Sequence, residues 1–340
     1  MKRAILAALA AWAAMTMSGA AAAEELVVGF QQGGSSVLLM LGKEEKFFND
    51  DATKFIHFLS SADGLNALNS GKIDVGASFG TCAPLTFATK GAPFVIIAGN
   101  LAGGHPIVTK PENAERLKDI TGFKGMKVGT PRLFTSDVVW RGALFKAGLK
   151  PGVDVEIVEF KRPVDVLEAV KSGKIDAGVG SSAITVQARA AGLAIPLFTN
   201  DLFPEHPCCR IVTTRAVLKN KRPELVQLVK GLILAEKKFR EDPESAVRAN
   251  IRQQKFTEEL ARELSLEPHQ IYNADPNTQG VLKMWEYMLA CDYLQSDLNP
   301  RDLIDTSLYL DALTELRREQ PAAEKYWAEI AARYQEWNEG

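Results

Sequence analysis

The ten residues GKIDVGASFG, beginning at Gly71, return as GKIDAGVGSS, beginning at Gly173. The same order of elements can be read around each copy. Before the first, ELVVGF (25–30) is an apolar, β-branched run that predicts a strand. QQGGSS is a loop, VLLMLGKEEKFF a helix entered from Ser35 or Ser36, and KFIHFL (54–59) a second strand. SADGLNALNS is a short helix that stops at Gly71, a residue that adopts left-handed dihedrals at little cost. IDVGASF is a strand, PLTFATKG a helix with Pro84 near its first turn, and PFVIIAGN a strand. The second copy repeats this with GMKVGT (125–130), the loop PRLFTSD, the helix VVWRGALFKAGL, DVEIVEF (154–160), the helix PVDVLEAVKS, IDAGVGS, AITVQARAAG and AIPLFT. A period of roughly 100 residues is too long for a solenoid. It predicts an α/β protein of two lobes, each a mainly parallel sheet flanked by helices.

The repeated phrase itself is read as structural. Gly71 and Gly173 end helices, Ile73 and Ile175 enter a core, and Asp74 and Asp176 bond nearby backbone at a strand start. The segment 100–123 reads as a connection between the copies, and 201–214 as a second one. Beyond it the chain is a helical extension. RPELVQLVKGLILAEKKF has Pro223 at its entry and apolar residues at helical spacing. TEELARELS, TQGVLKMWEYMLACDYL, LYLDALTELRRE and AAEKYWAEIAARYQEW continue as helices.

The chain opens with Lys2 and Arg3, a short apolar stretch from Ile5 to Met17, and Ala21-Ala22-Ala23 before Glu24. This pattern predicts an export signal, residues 1–23, cut after Ala23. The cut site has no cysteine to carry a lipid, so a periplasmic location follows. No later stretch reaches the length of about 20 apolar residues that spans a bilayer. Removing Lys2 and Arg3 takes the formal charge from −2 to −4, and no basic run appears, which argues against nucleic acid. Cys82, Cys208, Cys209 and Cys291 are too few and too irregular for a disulfide framework or a zinc pair. One bridge, from the 208–209 region to Cys291, is compatible with an oxidising compartment.

Ligands of open parallel sheets bind beyond the C-terminal ends of the strands, where helix N-termini favour anions. In lobe one this selects Gln31, Gln32, Ser35, Ser36, Thr81 and Cys82. Adjacent strand-end residues point opposite ways, so one of the two glutamines faces a ligand. In lobe two it selects Arg132, Phe134, Thr135, Ser136, Phe160 and Ser181. Arg132 is either a guanidinium clamp for a sulfonate or carboxylate or a solvated loop residue. Thr135 or Ser136 caps the helix that follows. Phe79, Phe134 and Phe160 either stack on a ring or pack in the core. Among the histidines, His57 is expected in the core, His105 at a crossing between the lobes and His269 on a helix surface. His206-Pro207-Cys208-Cys209-Arg210 reads as a metal or redox site, or as a hinge segment with Arg210 facing the ligand.

VVGFQQGG, GKIDVGASFGTCAPLTFATKGAPFVIIA, FKGMKVGTPRLFTSD, VDVLEAVKSGKIDAG and KNKRPELVQLVKGLILAEKKFREDPESA together resemble the substrate-binding proteins of ABC importers. The resemblance is to the nitrate, sulfonate, taurine and thiamine-precursor (NMT1/THI5-like) group and covers nearly the whole chain after residue 23. It implies a type II periplasmic binding fold crossed near 103–110 and 207–214. Lobe one would comprise 24–105 and 212–340, and lobe two 106–211. It further implies a monomeric receptor without cofactor that captures a small organic ligand and delivers it to an ABC permease; the hydroxyl-rich, glycine-rich strand ends with Arg132 suit a three-oxygen anion, a sulfonate first. A pyrimidine-like solute, nitrate and carboxylates stay open as ligands. An iron-dependent pyrimidine-synthesis enzyme on the same fold and a ligand sensor are the other roles the resemblance admits.

Overall fold

The computed structural model describes residues 24–339, apart from 50 and 133. The expected export signal therefore lies outside the described residues. In the first copy of the repeat, β1 (Leu26–Phe30) leads to α1 (Val37–Glu44), β2 (Thr53–His57), α2 (Ser61–Asn69), β3 (Val75–Gly76), α3 (Cys82–Thr89) and β4 (Phe94–Gly103). The second copy holds β5 (Pro106–Thr109), β6 (Lys127–Pro131), α4 (Thr135–Lys146), β7 (Glu156–Phe160), α5 (Pro163–Lys171), β8 (Ala177–Val179), α6 (Thr185–Ala190), β9 (Ala194–Phe198) and the single turn α7 (Thr199–Leu202). The remainder is β10 (Pro207–Thr214), α8 (Arg215–Asn220), α9 (Arg222–Glu241), α10 (Pro243–Gln254), α11 (Glu258–Leu266), β11 (Gln270–Tyr272), α12 (Thr278–Ala290), α13 (Ser307–Glu319) and α14 (Glu324–Tyr334).

Two sheets result, ordered β11-β4-β10-β3-β1-β2 and β7-β6-β8-β5-β9. β2, β1 and β3 run parallel, as do β7, β6 and β8. Each sheet then takes one strand antiparallel to this set: β10 beside β3, and β5 beside β8. The two segments read as connections are thus largely strand. The first holds the end of β4 and all of β5, and the second holds β10. The expected return to lobe one at residue 212 falls inside β10, which pairs with β4 from Pro207 to Thr214. By sheet membership the chain leaves lobe one after Gly103 and rejoins it at Pro207.

The repeated phrase does the same work twice. The Asp74 carboxylate accepts the Val27 N–H, and the Asp176 carboxylate accepts the Lys127 N–H, each at 2.8 Å. Each aspartate returns its own N–H to the same residue's carbonyl. Each aspartate carbonyl also accepts a threonine hydroxyl, from Thr213 on β10 or Thr109 on β5. A Cβ on Gly29 would come within 2.5 Å of Ile73 and 2.9 Å of Phe58; on Gly129 it would meet Ile175 and Phe160 at the same distances. Those two glycines let a repeated isoleucine and phenylalanine close over the strand. Gly71 and Gly173 take φ of 74° and 72°, as helix-ending glycines do.

Each sheet is covered on both faces. On one face of the six-stranded sheet, Leu38 and Leu41 of α1 pack with Leu228, Leu232 and Trp327 of the C-terminal helices. On the other, Leu65, Leu68, Leu85 and Met284 pack together with Val138 and Val139, which belong to α4 of lobe two. That last contact is an apolar seam between the lobes: α4 lies on α12, with Gly142 against the Tyr287 ring. His57 is exposed rather than in the core, since β2 is an edge strand. His269 sits in a turn before β11, not on a helix, with its ring stacked 3.5 Å from that of Phe198.

Candidate functional site

The C-terminal ends of β1 and β3 in one lobe, and of β6 and β8 in the other, face the two crossings. Strand β10, which carries the second crossing, runs between them. Its pairing with β4 slips twice near Cys208: Pro207 lies opposite Ala102, Cys209 opposite Leu101 and Arg210 opposite Gly99. Cys208 on one strand and Asn100 on the other are thereby left out of the ladder, as a bulge does. These two residues hold the loops at those strand ends. The Cys208 carbonyl accepts hydroxyls from Thr81 of lobe one (3.1 Å) and Thr135 of lobe two (3.0 Å). The fully buried Asn100 amide donates to the Ser35 carbonyl and, at 2.7 Å, to the Ala77 carbonyl. Asn100 Oδ1 has no partner among the described residues.

The expected site residues divide into two sets. Ser35, Thr81, Cys82 and Thr135 come together around Cys208 and Cys209. Burial pushes the Cys82 thiol up. The others stand apart from that group. Gln31 turns toward lobe one, donating from its side chain to the Leu59 carbonyl and accepting the Ser61 hydroxyl, while Gln32 is exposed. Ser36 is buried beside Gln254, and Ser136 is buried with no partner for its hydroxyl among the described residues. Neither Thr135 nor Ser136 caps α4; Phe134, itself partly exposed, is the cap residue, because the Thr135 hydroxyl is committed to Cys208. Phe160 closes over Gly129, and Ser181 stands half-buried at the end of β8.

The two arginines are both engaged. Arg132 pairs with Glu159 at 2.6 Å and lies over the Tyr293 ring, whose hydroxyl donates to Asp137. Arg210 does not face a cleft. It is fully buried and donates to the carbonyls of Asp275 (2.7 Å) and Leu101 (2.8 Å). Burial pushes its pKa down to about 10.

Beneath Cys208 the two crossings are joined by a neutral relay. The Phe203 carbonyl can only accept, so His206 Nδ1 donates to it (2.8 Å). His206 Nε2 then accepts from His105 Nδ1 (3.1 Å), which leaves His105 Nε2 as an acceptor 3.2 Å from the Cys208 sulfur, whose single proton can go there or to Cys209 Sγ at 3.4 Å. Burial holds both imidazoles below their ordinary value, His206 at about 4. The four cysteines are free, and Cys291 forms no bridge to the 208–209 region. Among the described residues no group of three or more His, Cys, Asp and Glu side chains is arranged to hold a metal ion. A groove of about 360 Å³ elsewhere, lined by Leu26, Thr53 and Pro223, lies at the N-terminal ends of β1 and β2, opposite the edge where strand-end loops and helix N-termini gather.

Sequence alone missed Asn100, whose only signal was a carboxamide inside an apolar strand, and Tyr293, which carried none.

Residues 19–252 match the model of a family described as NMT1-like. The chain is 27% identical over 188 residues to the Brucella abortus "Putative binding protein BAB2_1146", an alignment spanning 54% of this chain and 56% of that one. The chain thus spans only about half the length of the curated relatives it matches. In fold it is similar to the ligand-binding component of an ABC-type import system from Staphylococcus aureus, solved with zinc bound. That match has a TM-score of 0.70 at 18% identity, covering 85% of this chain and 99% of the other. It is also similar to the periplasmic aliphatic sulphonate-binding protein SsuA from Escherichia coli, with a TM-score of 0.68 at 19% identity, covering 84% and 93%.

Proposed function

The chain belongs to the NMT1-like family, and on that premise we propose that it is a periplasmic solute receptor that traps a small polar ligand between its lobes and passes it to an ABC permease. One observation carries this reading. Thr81 from one lobe and Thr135 from the other meet on a single carbonyl of the hinge strand. A guest lying over Cys208 therefore contacts both lobes at once, which is what a closing cleft requires. The Ser136 hydroxyl, without a partner among the described residues, lies in the first turn of α4, and a helix N-terminus is suited to an anion. A sulfonate is the ligand of choice.

Arg132 joins the site by leaving Glu159. Both side chains of that ion pair are more than a third exposed. Exposed pairs of this kind contribute only about 0–1 kcal/mol, less than a charge-assisted bond to a desolvated anion of about 1.5–3 kcal/mol. The exchange is therefore favourable. The matched relatives are described as binding proteins or binding components, and no enzyme reading is carried forward.

The test is a thermal-shift panel of taurine, ethanesulfonate, nitrate, acetate and a 4-aminopyrimidine. A true ligand at a hundred times its dissociation constant stabilises by about 2.7 kcal/mol. The sulfonates should give the largest shift, and Arg132→Ala should weaken them tenfold or more. A panel without any shift would remove the reading; a shift with the pyrimidine alone would replace the ligand class.

A further inference from the structure

We propose that Cys208 and Cys209 are a redox-sensitive dithiol built into the hinge, which closes to a vicinal disulfide on meeting a small exchangeable disulfide such as oxidised glutathione. In a regular strand neighbouring side chains point to opposite faces. Here the bulge turns both sulfurs to one side, and Cys208 Sγ lies 3.4 Å from Cys209 Sγ. The pair is 7% and 5% exposed, directly beneath Thr81 and Thr135. The two thiols differ in character. Cys209 is held below the ordinary thiol range, first by the hydrogen bond from Cys208 and further by the Gly80 backbone, Arg210 and Ser35. Cys208 is pushed up, first by that same bond and then by burial, and it has His105 Nε2 at 3.2 Å as a hydrogen-bond acceptor.

The chemistry follows from this asymmetry. Cys209 attacks one sulfur of glutathione disulfide; its own proton goes to the departing glutathione, and a Cys209–glutathione disulfide is left. Cys208, its S–H oriented by His105 Nε2, then attacks the Cys209 sulfur, and its proton passes to the departing sulfur as the second glutathione leaves as a thiol. One disulfide is reduced to two thiols, and two cysteine thiols become one disulfide. Ring closure reorients the Cys208–Cys209 peptide, and with it the carbonyl that Thr81 and Thr135 share. Oxidation therefore loosens the loops of both lobes at their common anchor.

The full chain without its first 23 residues is reduced, incubated with oxidised glutathione, alkylated in denaturant and digested. The expected result is a 208–209 peptide lacking two hydrogens, with the count of titratable thiols falling from four to two. Cys208→Ser should instead accumulate a glutathione adduct on Cys209. Hydrogen exchange at the segments containing Thr81 and Thr135 should quicken on oxidation of the wild-type protein and revert with reductant. A 208–209 peptide that keeps both thiols, or a bridge from either residue to Cys82 or Cys291, overturns the proposal. So does a disulfide that forms and leaves exchange at Thr81 and Thr135 unchanged. None of these readouts depends on a transport ligand.

Discussion

At the residue scale, two aspartates in matching positions offer a controlled comparison. Asp74 and Asp176 make the same backbone bonds, but Asp74 is half-buried and also pairs with Lys221 at 3.1 Å, whereas Asp176 is exposed. Removing the partner of a buried donor costs about 1–3 kcal/mol. Asp74→Ala should therefore lower the urea-unfolding free energy within that range, and Asp176→Ala by less. The His105–His206 relay sets a second expectation. Because the fold holds these rings neutral, with His206 at about 4 against an ordinary 6.5, the unfolded chain binds protons first as pH falls. The stabilisation is complete above pH 6.5 and is lost progressively toward pH 4. His206 alone accounts for a loss on the order of 3 kcal/mol. Unfolding free energies at pH 7 and pH 4 measure it, and the decline should be shallower in His206→Gln.

At the scale of elements, the seam between α4 and α12 governs how the lobes meet. A side chain at Gly142 would intrude on the Tyr287 ring, and overpacking of this kind costs about 1–3 kcal/mol. Gly142→Val should lower the unfolding free energy by that amount and, by prising the helices apart, weaken any ligand held between the lobes. The parallel strands and their helices were legible because their patterns are local: apolar runs of strand length, helical spacing and a stopping glycine. β5 and β10 were not. Pro106 and Pro207 open them, Gly103-Gly104 precedes one and the partners of both lie far away in sequence, so each resembled a loop. Arg210 was misplaced for a related reason. Which way a strand residue points can be counted from its neighbours only while the ladder is regular, and the slip at Cys208 breaks that count. That Ser35, Thr81 and Thr135 lie near one another was legible because strand-end loops of known order must gather at one edge. Their anchor, a main-chain carbonyl, leaves no mark in a sequence.

For the whole molecule, the expected signature is movement. Adding the most stabilising sulfonate should reduce the radius of gyration measured by solution scattering, and coincident profiles with and without it would mean rigid lobes. Thr135→Val removes one tie to the hinge carbonyl and should widen the difference between the free and bound forms. The way the chain visits its two sheets has a further outcome, for folding during synthesis. Lobe two is one continuous stretch, whereas lobe one needs β10 and β11, more than a hundred residues after β4 begins. A nascent chain emerging N-terminus first cannot complete its first sheet until its middle has already been made. Vectorial folding therefore runs against chain order: the later-made lobe sets first, and the lobe containing residue 24 waits for the far end of the polypeptide to close over it.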